Sequence, residues 1–331
     1  MVDLKQYNTF GISALCKELI EITDPSQLVD AIEKKLFFEP FLILGGGSNF
    51  LFTHDLAARV FYINTKGIQW IAENSTYVYL KVAAGEEWDD LVNYCVEHNY
   101  YGLENLAGIP GKVGSSAVQN IGAYGMEAKD RIFQVHTLRL DNGRKVLFTN
   151  EDCRFGYRDS IFKREVKDQY VITEVVFQLY KIKSFNLEYG ALKELAQVPD
   201  KVTLAGVRDE VLRIRNSKLP SVKEIGSAGS FFKNPVVSVE KWNKLKAEYP
   251  NLIGYPVANE NMKLAAGQLI DLAGWKGYRE GDAGVYPKQA LILVNYGTAT
   301  GQEILQLAEK IKESIFQKYG VYLEPEVIIQ R

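Results

Sequence analysis

The sequence predicts an α+β protein of two or three domains, and three observations carry that expectation. The chain has 331 residues, too many for one ordinary domain. Its first third opens strand–helix–strand and its middle reads as antiparallel strands with a hairpin. Its last third is mostly helical and ends in a strand.

Asp24-Pro25 starts the first helix, with aspartate as N-cap and proline at the first helical position. Leu28, Ile32 and Leu36 follow at four-residue spacing and give one buried face. Phe41 to Leu44, Val60 to Ile63 and Tyr77 to Val82 read as strands. Glu86 to His98 is an amphipathic helix, with Trp88, Leu91, Val92, Cys95 and Val96 on one side and His98 in a capping position. Gln134 to Leu140 and Lys145 to Phe148 flank Asp141-Asn-Gly143, a hairpin signal. Tyr170 to Tyr180 is a long strand, and Val207 to Asn216 a polar-faced helix that stops before Leu219-Pro220. Helices are expected near 238–248, 263–273 and 301–318, and strands at 290–295 and 321–329. A terminal strand needs a sheet already made, so the last one is expected to return to the N-terminal domain.

Composition excludes several classes of function. Hydrophobic residues make up 47% and charged residues 24%, as in an ordinary globular protein. Net charge is −2, with a pI of about 6.1, against a nucleic-acid backbone binder. Cys16, Cys95 and Cys153 are an odd count without a close pair, against a disulfide framework or zinc site. Three isolated histidines offer no metal cluster. No run approaches a membrane span and no signal pattern opens the chain, so a cytoplasmic location is expected.

Three segments carry the chemistry. Gly226-Ser-Ala-Gly-Ser-Phe-Phe-Lys-Asn-Pro235 brings a hydroxyl, an ammonium and an amide together at Ser230, Lys233 and Asn234. Its small residues allow close backbone approach to a ligand, although a tight turn with a capping serine fits equally well. Gly102 to Glu127 is glycine-rich and is read as a long functional loop whose backbone N–H groups can face an anion. Leu42-Ile-Leu-Gly-Gly-Gly-Ser-Asn49 runs an apolar strand into a glycine turn suited to a pyrophosphate. It is not GxGxxG, Phe50 to His54 form no evident helix, and no ribose-binding acid closes a βαβ unit. A nicotinamide-type Rossmann domain is therefore rejected.

Together these segments resemble the UDP-N-acetylenolpyruvoylglucosamine reductase (MurB) family of flavoenzymes. Asn8-Thr-Phe-Gly11, Phe155-Gly-Tyr-Arg-Asp-Ser160, Arg215-Asn-Ser-Lys-Leu-Pro220, Lys263-Leu-Ala-Ala-Gly267, Gln289-Ala-Leu-Ile-Leu-Val-Asn295 and Leu323-Glu-Pro-Glu-Val327 match in family order, almost end to end. Tyr189 in Glu-Tyr-Gly resembles the branch that keeps a tyrosine loop closing over substrate. The resemblance implies a vanillyl-alcohol-oxidase-type (PCMH-like) FAD-binding fold in two subdomains, residues 1–66 with 319–331 and residues 67–218. A smaller α+β substrate domain is implied over 219–318. It implies FAD, with NADPH as reductant, and reduction of UDP-N-acetylglucosamine enolpyruvate to UDP-N-acetylmuramate in peptidoglycan synthesis, by a monomer.

The site residues follow from the same resemblance. Arg158 matches the arginine that grips the substrate carboxylate; an ion pair with Asp159 is its plainer role. Ser230 matches the proton donor to C2, with Phe231 and Phe232 excluding water. Glu326 matches the catalytic glutamate. Period-two spacing puts Glu324 on the same strand face and cannot choose between them. Tyr189, Lys218, Asn234, Tyr255 and Gln289 match substrate contacts. Gly45, Gly46, Gly47, Ser48, Asn49, Gly111, Gly114, Ser115, Ser116, Gly122, Ala123 and Tyr124 are expected around FAD. At Lys112 the residue type looks free to vary. The competing readings are a flavin oxidase of the same fold, acting on an alcohol or sugar, and a sugar-nucleotide-binding protein without catalysis.

Overall fold

The computed structural model describes residues 1–331 apart from 191, 199, 201 and 258. The chain divides into two compact units. One comprises Cys16–Gly46 and Ala57–Ser217, the other Met1–Leu15, Gly47–Leu56 and Lys218–Arg331. These boundaries are not those of the three-part layout, whose first part is shared between the units. The cores explain the division. Ile22, Phe61 and Ile63 pack in one continuous core with Val78, Leu80, Phe177 and Ile214. Phe10, Ile12 and Leu51 pack in another with Phe231, Leu269, Ile304 and Val327.

In the unit of Cys16–Gly46 and Ala57–Ser217, strand Phe41–Leu44 lies parallel to Leu56–Ile63, pairing Phe41 with Arg59 and Leu44 with Tyr62. Strand Leu15–Ile22 flanks Leu56–Ile63 on its other side. Helix Pro25–Glu33 starts at an Asp24–Gln27 capping box and buries Leu28, Ala31 and Ile32. A second, antiparallel sheet has the order Lys145–Thr149, Ile132–Arg139, Tyr170–Tyr180, Tyr77–Ala83, Ile68–Glu73. In Tyr77–Ala83 every second residue, Val78, Leu80 and Val82, is buried, each contributing about 1.5–3 kcal/mol of hydrophobic stabilisation. Helix Trp88–Glu97 buries Trp88, Leu91, Val92 and Cys95. Trp88 packs edge-on against Phe177 and donates its indole N–H to the Leu106 carbonyl at 2.9 Å. His98 follows as the C-cap, its Nδ1 at 2.8 Å from the Tyr94 carbonyl and its ring stacked on Tyr94, as the sequence suggests.

The segment 102–127 is not the unstructured loop expected. It holds a short turn of helix at Glu104–Leu106, a helix at Val113–Gln119, and a hairpin of Gly122–Ala123 with Met126–Glu127. Val113, Gly114, Ser116 and Ala117 are buried in that helix, and of these only Val113 and Ala117 carry apolar side chains. Two such apolar positions among glycines and serines are too weak a periodicity to read from sequence.

In the unit of Met1–Leu15, Gly47–Leu56 and Lys218–Arg331, one sheet has the order Gly226–Ser230, Ile292–Asn295, Ala283–Val285, Arg279–Glu280. A smaller sheet orders Val236–Ser238, Asn261–Leu264, Gly254–Val257. Helices Val239–Glu248, Ala266–Leu272 and Gly301–Tyr319 complete the unit, near their expected positions. The terminal strand is shorter than 321–329. It spans Ile328–Gln330 and runs parallel to Phe50–Phe52. Upstream of it, Pro325 makes an isolated bridge with Phe232, flanked by bonds to Glu324 and Glu326 and in a position that calls on no proline N–H.

Candidate flavin site and catalytic residues

Strand Phe41–Leu44 delivers Gly45 and Gly46 onto the segment Gly111–Ser115 of the same unit. A Cβ on Gly45 would stand 2.5 Å from the Ser115 hydroxyl, and one on Gly46 would stand 3.0 Å from the Gly111 Cα. A side chain at Gly45 would push the Ser115 hydroxyl aside, and one at Gly46 would press on the Gly111 backbone. Gly114 is equally constrained, since a Cβ there would meet that of Ala84 at 2.9 Å. Neither 45–49 nor 111–116 contains a carboxylate, and the backbone of two glycine turns lies side by side. Within them, the N–H groups of Val113, Gly114 and Ser116 donate to the carbonyls of Glu86, Ala84 and Lys112. Ser116 is buried and donates its hydroxyl to the Val113 carbonyl at 2.6 Å, which makes it part of the helix's own bonding.

Lys112 lies between these glycines, and sequence reasoning passed over it. Its side chain is 1% exposed. Its Nζ donates to the Asn64 Oδ1 at 2.7 Å and the Ile63 carbonyl at 3.1 Å, stands 3.7 Å from Glu87, and lies over the Tyr62 ring. Burial lowers its pKa to about 8, with Glu87 opposing the shift.

The hairpin Gly122–Glu127 forms a second cluster in this unit. Arg158 has positive φ (55°) in the turn Gly156–Asp159 and donates from Nη2 to the Gly122 carbonyl at 2.6 Å. Asp159 pairs with Arg164 at 2.8 Å. Asn105 donates to the carbonyls of Tyr124 and Asn186, fixing the hairpin tip against the segment that leads to Tyr189. The Tyr124 and Tyr189 rings meet edge-on, 6.3 Å apart, and Tyr189 is half exposed. Burial raises the Tyr124 hydroxyl's pKa, and Arg215 works against that rise. Arg215 packs against Gly108, whose Cβ would come 3.1 Å from its Nε. In the sequence its only signal is its place in Arg215-Asn-Ser-Lys-Leu-Pro220. Arg213 pairs with Glu210 on the exposed helix face.

In the other unit Gly47, with φ of 60°, packs so tightly on the Tyr7 carbonyl that a Cβ would collide with it. Asn8 holds that turn, donating to the carbonyls of Leu4 and Ile12 at 2.8 and 2.9 Å and accepting from the Ile12 N–H. Asn49 donates to the Glu326 carbonyl at 3.2 Å and accepts from the Ile328 N–H at 2.9 Å. Ser48, half-buried, stands between Gly47 and Asn49.

The backbone of Glu326 pairs here with Phe231, the residue that follows Ser230. The Glu326 N–H donates to the Phe231 carbonyl at 2.8 Å, and the Lys233 N–H to the Glu324 carbonyl at 2.9 Å, so 231–233 and 324–326 run as one short ladder. This separates the two glutamates: Glu324 is exposed and faces the Lys233 ammonium at 3.6 Å, whereas Glu326 is half-buried. Ser230 is exposed. Phe231 and Phe232 turn into the core, with Phe10 edge-on to Phe231, and do not shield Ser230 as expected.

Asn234 accepts from the Ala266 N–H at 3.0 Å, and a Cβ on Gly267 would meet the Gln289 Oε1 at 2.9 Å, which gathers Asn234 and Gln289 at one end of helix Ala266–Leu272. Tyr255 stands on strand Gly254–Val257, half exposed and paired with Lys263. Lys218 is exposed at the end of helix Leu204–Lys218. Among the described residues no group of three or more His, Cys, Asp or Glu could hold a metal ion.

The comparisons with known proteins agree with this chemistry. Residues 19–147 match the family model "FAD binding domain", and the chain is a flavin-dependent oxidoreductase. Residues 220–330 match the model "UDP-N-acetylenolpyruvoylglucosamine reductase, C-terminal domain". Proteins named UDP-N-acetylenolpyruvoylglucosamine reductase are similar over nearly the whole chain. That of Flavobacterium johnsoniae is 44% identical, covering 98% of this chain and 97% of its own. That of Porphyromonas gingivalis is 46% identical over 98% and 96%, and that of Shewanella sediminis 47% over 98% and 93%. The crystal structure of the reductase from Thermus caldophilus shares the fold at a TM-score of 0.70 and 24% identity, covering 100% of this chain and 98% of that one. The chain belongs to the UDP-N-acetylenolpyruvoylglucosamine reductase family.

Proposed function

We propose that this protein reduces UDP-N-acetylglucosamine enolpyruvate to UDP-N-acetylmuramate with NADPH, in the cytoplasmic stage of peptidoglycan synthesis. On this reading it serves cell-wall biogenesis, cell shape and division. Bound FAD would supply hydride chemistry between NADPH and C3 of the enol ether. Gly45, Gly46, Gly111, Gly114 and Ser115 would hold its diphosphate in one unit, and Gly47, Ser48 and Asn49 line the following turn in the other. Gly122, Ala123 and Tyr124 would hold the rest of it, with Ser116 supporting from within its helix.

Hydride addition at C3 leaves negative charge on C2 and the adjoining carboxylate. The Arg158 guanidinium, aimed by the Gly122 carbonyl, would grip that carboxylate and stabilise the added charge. Ser230 would give its proton to C2, and Glu326 would polarise the enolate beside it. Tyr189 on its exposed segment would close over the nucleotide, as in the branch with that loop, and Lys218, Asn234, Tyr255 and Gln289 would bind the sugar nucleotide. The three-part division, a vanillyl-alcohol-oxidase-type flavin fold and a monomeric state belong to the same proposal.

The observation that supports this reading is the ladder of 231–233 with 324–326, in which the Glu326 N–H bonds the carbonyl of Phe231, the residue next to Ser230, in a chain of this family. A steady-state assay with NADPH and the enolpyruvyl sugar nucleotide tests it. Substrate-dependent NADPH oxidation that forms the lactyl ether is expected. Oxygen consumption driven by an alcohol or sugar, without NADPH, would favour a flavin oxidase instead.

A further inference from the structure

We propose that Lys112 is a positioning residue for the flavin diphosphate, a buried positive strut that underlies the two glycine turns and fixes them against each other. The proposal rests on the reading that these turns face the diphosphate.

Its geometry is that of a built-in element. A Cβ on Gly45 would touch the Lys112 Cβ at 3.8 Å, and one on Gly46 its Cγ at 3.7 Å, so the lysine stem forms the floor under both glycines. The backbone of Lys112 accepts from the Ser116 N–H and its neighbours Gly111 and Val113 bond to Trp88 and Glu86. The ammonium passes beneath the turns to the Ile63 carbonyl and Asn64 Oδ1, at the end of strand Leu56–Ile63. One side chain thus ties that strand to both glycine turns.

The charges around it do not neutralise it fully. Glu87 is 3.7 Å away and 45% exposed, and it shares itself with Lys66 at 3.3 Å. Lys66 also meets Glu86 at 3.6 Å. Glu21 acts more remotely, through its bond to the Asn64 amide at 2.6 Å. Tyr62 offers its ring face at 4.2 Å. A charge in so dry a place acts on a nearby anion with little screening.

Two opposite pH dependences follow. The folded pKa of about 8 lies below the unfolded value, roughly 10.4, so the native protein binds fewer protons between them. This group's contribution to the stability of FAD-free protein therefore rises with pH from about 8 to about 10.4. FAD affinity moves the other way, because bound diphosphate favours the protonated lysine. By reciprocity the affinity falls about tenfold for each pKa unit by which FAD raises Lys112. A lysine that served the fold alone would show the first dependence without the second.

The test titrates FAD into FAD-free protein from pH 6.5 to 10, reading flavin fluorescence, beside thermal unfolding of the same samples. Wild type should lose affinity above about pH 8 while gaining stability relative to Lys112→Met. Lys112→Met keeps the stem and should bind FAD at least roughly tenfold more weakly at pH 7, with a flat profile. Wild-type affinity that does not change across the range would overturn the proposal without need of any variant. Unchanged affinity in Lys112→Met would do the same. Equal weakening of FAD and riboflavin by Lys112→Met would show that the turns do not hold the diphosphate. Wild-type protein that takes up no FAD at any pH would overturn the flavin assignment beneath it.

Discussion

At the scale of single residues, the proposed chemistry assigns Ser230, Glu326 and Arg158 to the substrate and leaves the encounter with NADPH to other groups. Ser230→Ala should therefore reduce its flavin with NADPH at the wild-type rate. Reoxidation by the enolpyruvyl substrate should slow by the roughly 10²–10⁴-fold typical of a lost general acid. Glu326→Gln and Arg158→Ala should show the same split, read by stopped-flow flavin absorbance. Ser230→Ala that is reoxidised at the wild-type rate would return Ser230 to a structural turn. Asn8 makes a different prediction, because its amide is buried and occupied by three hydrogen bonds to Leu4 and Ile12. Asn8→Ala should cost about 1–3 kcal/mol in urea unfolding, through buried backbone groups left without partners. A cost near zero would mean that the turn of Tyr7 to Ile12 needs no side-chain support.

At the scale of elements, helix Gly301–Tyr319 depends on its Thr300–Glu303 capping box and on Gly320 in the left-handed conformation at its end. Thr300→Ala should lower stability by about 1 kcal/mol and leave flavin binding intact. Gly47→Ala should do both kinds of damage, since φ is 60° and the new methyl would strike the Tyr7 carbonyl. Calorimetry and FAD titration of the two variants separate these outcomes; Gly47→Ala with normal flavin content would contradict the tight turn. The elements also show what local sequence can and cannot reveal. The capping box at Asp24, the Asn-Gly hairpin and the alternation in Tyr77–Ala83 are local signals, and each is legible in the chain. Helix Val113–Gln119 is not, because glycines and serines hide a two-residue apolar face. The strand expected over 321–329 shrinks because its first half turns to 231–233 through an isolated bridge, and only Ile328–Gln330 pair with Phe50–Phe52. The pairing that places Glu326 beside Phe231 joins residues almost a hundred positions apart, and no local pattern encodes it. Family resemblance chose Glu326 over Glu324 where spacing could not. Lys112 stayed hidden because its meaning lies in burial, which a single lysine among glycines does not announce.

At the scale of the whole molecule, two cores organise the chain, one running from Ile22 to Ile214 and one joining Phe10 and Leu51 to the last hundred residues. Among the described residues no helix is long and apolar enough to cross a membrane. His136 pairs with Glu174 on the second sheet, and Cys153 is buried with its thiol pushed up to about 12, so neither stands ready for a covalent flavin link. Purified protein should be yellow and should release FAD on denaturation; flavin retained by the washed, denatured chain would contradict non-covalent binding. The central claim is that one flavin carries electrons from NADPH to an enolpyruvyl sugar nucleotide. Its most direct test follows flavin absorbance in anaerobic stopped flow, first with NADPH and then with UDP-N-acetylglucosamine enolpyruvate. The expected result is bleaching by NADPH and full return of the oxidised spectrum on adding substrate, with one UDP-N-acetylmuramate formed per flavin. A reduced flavin that persists in the presence of substrate and returns only on admitting oxygen would contradict the claim.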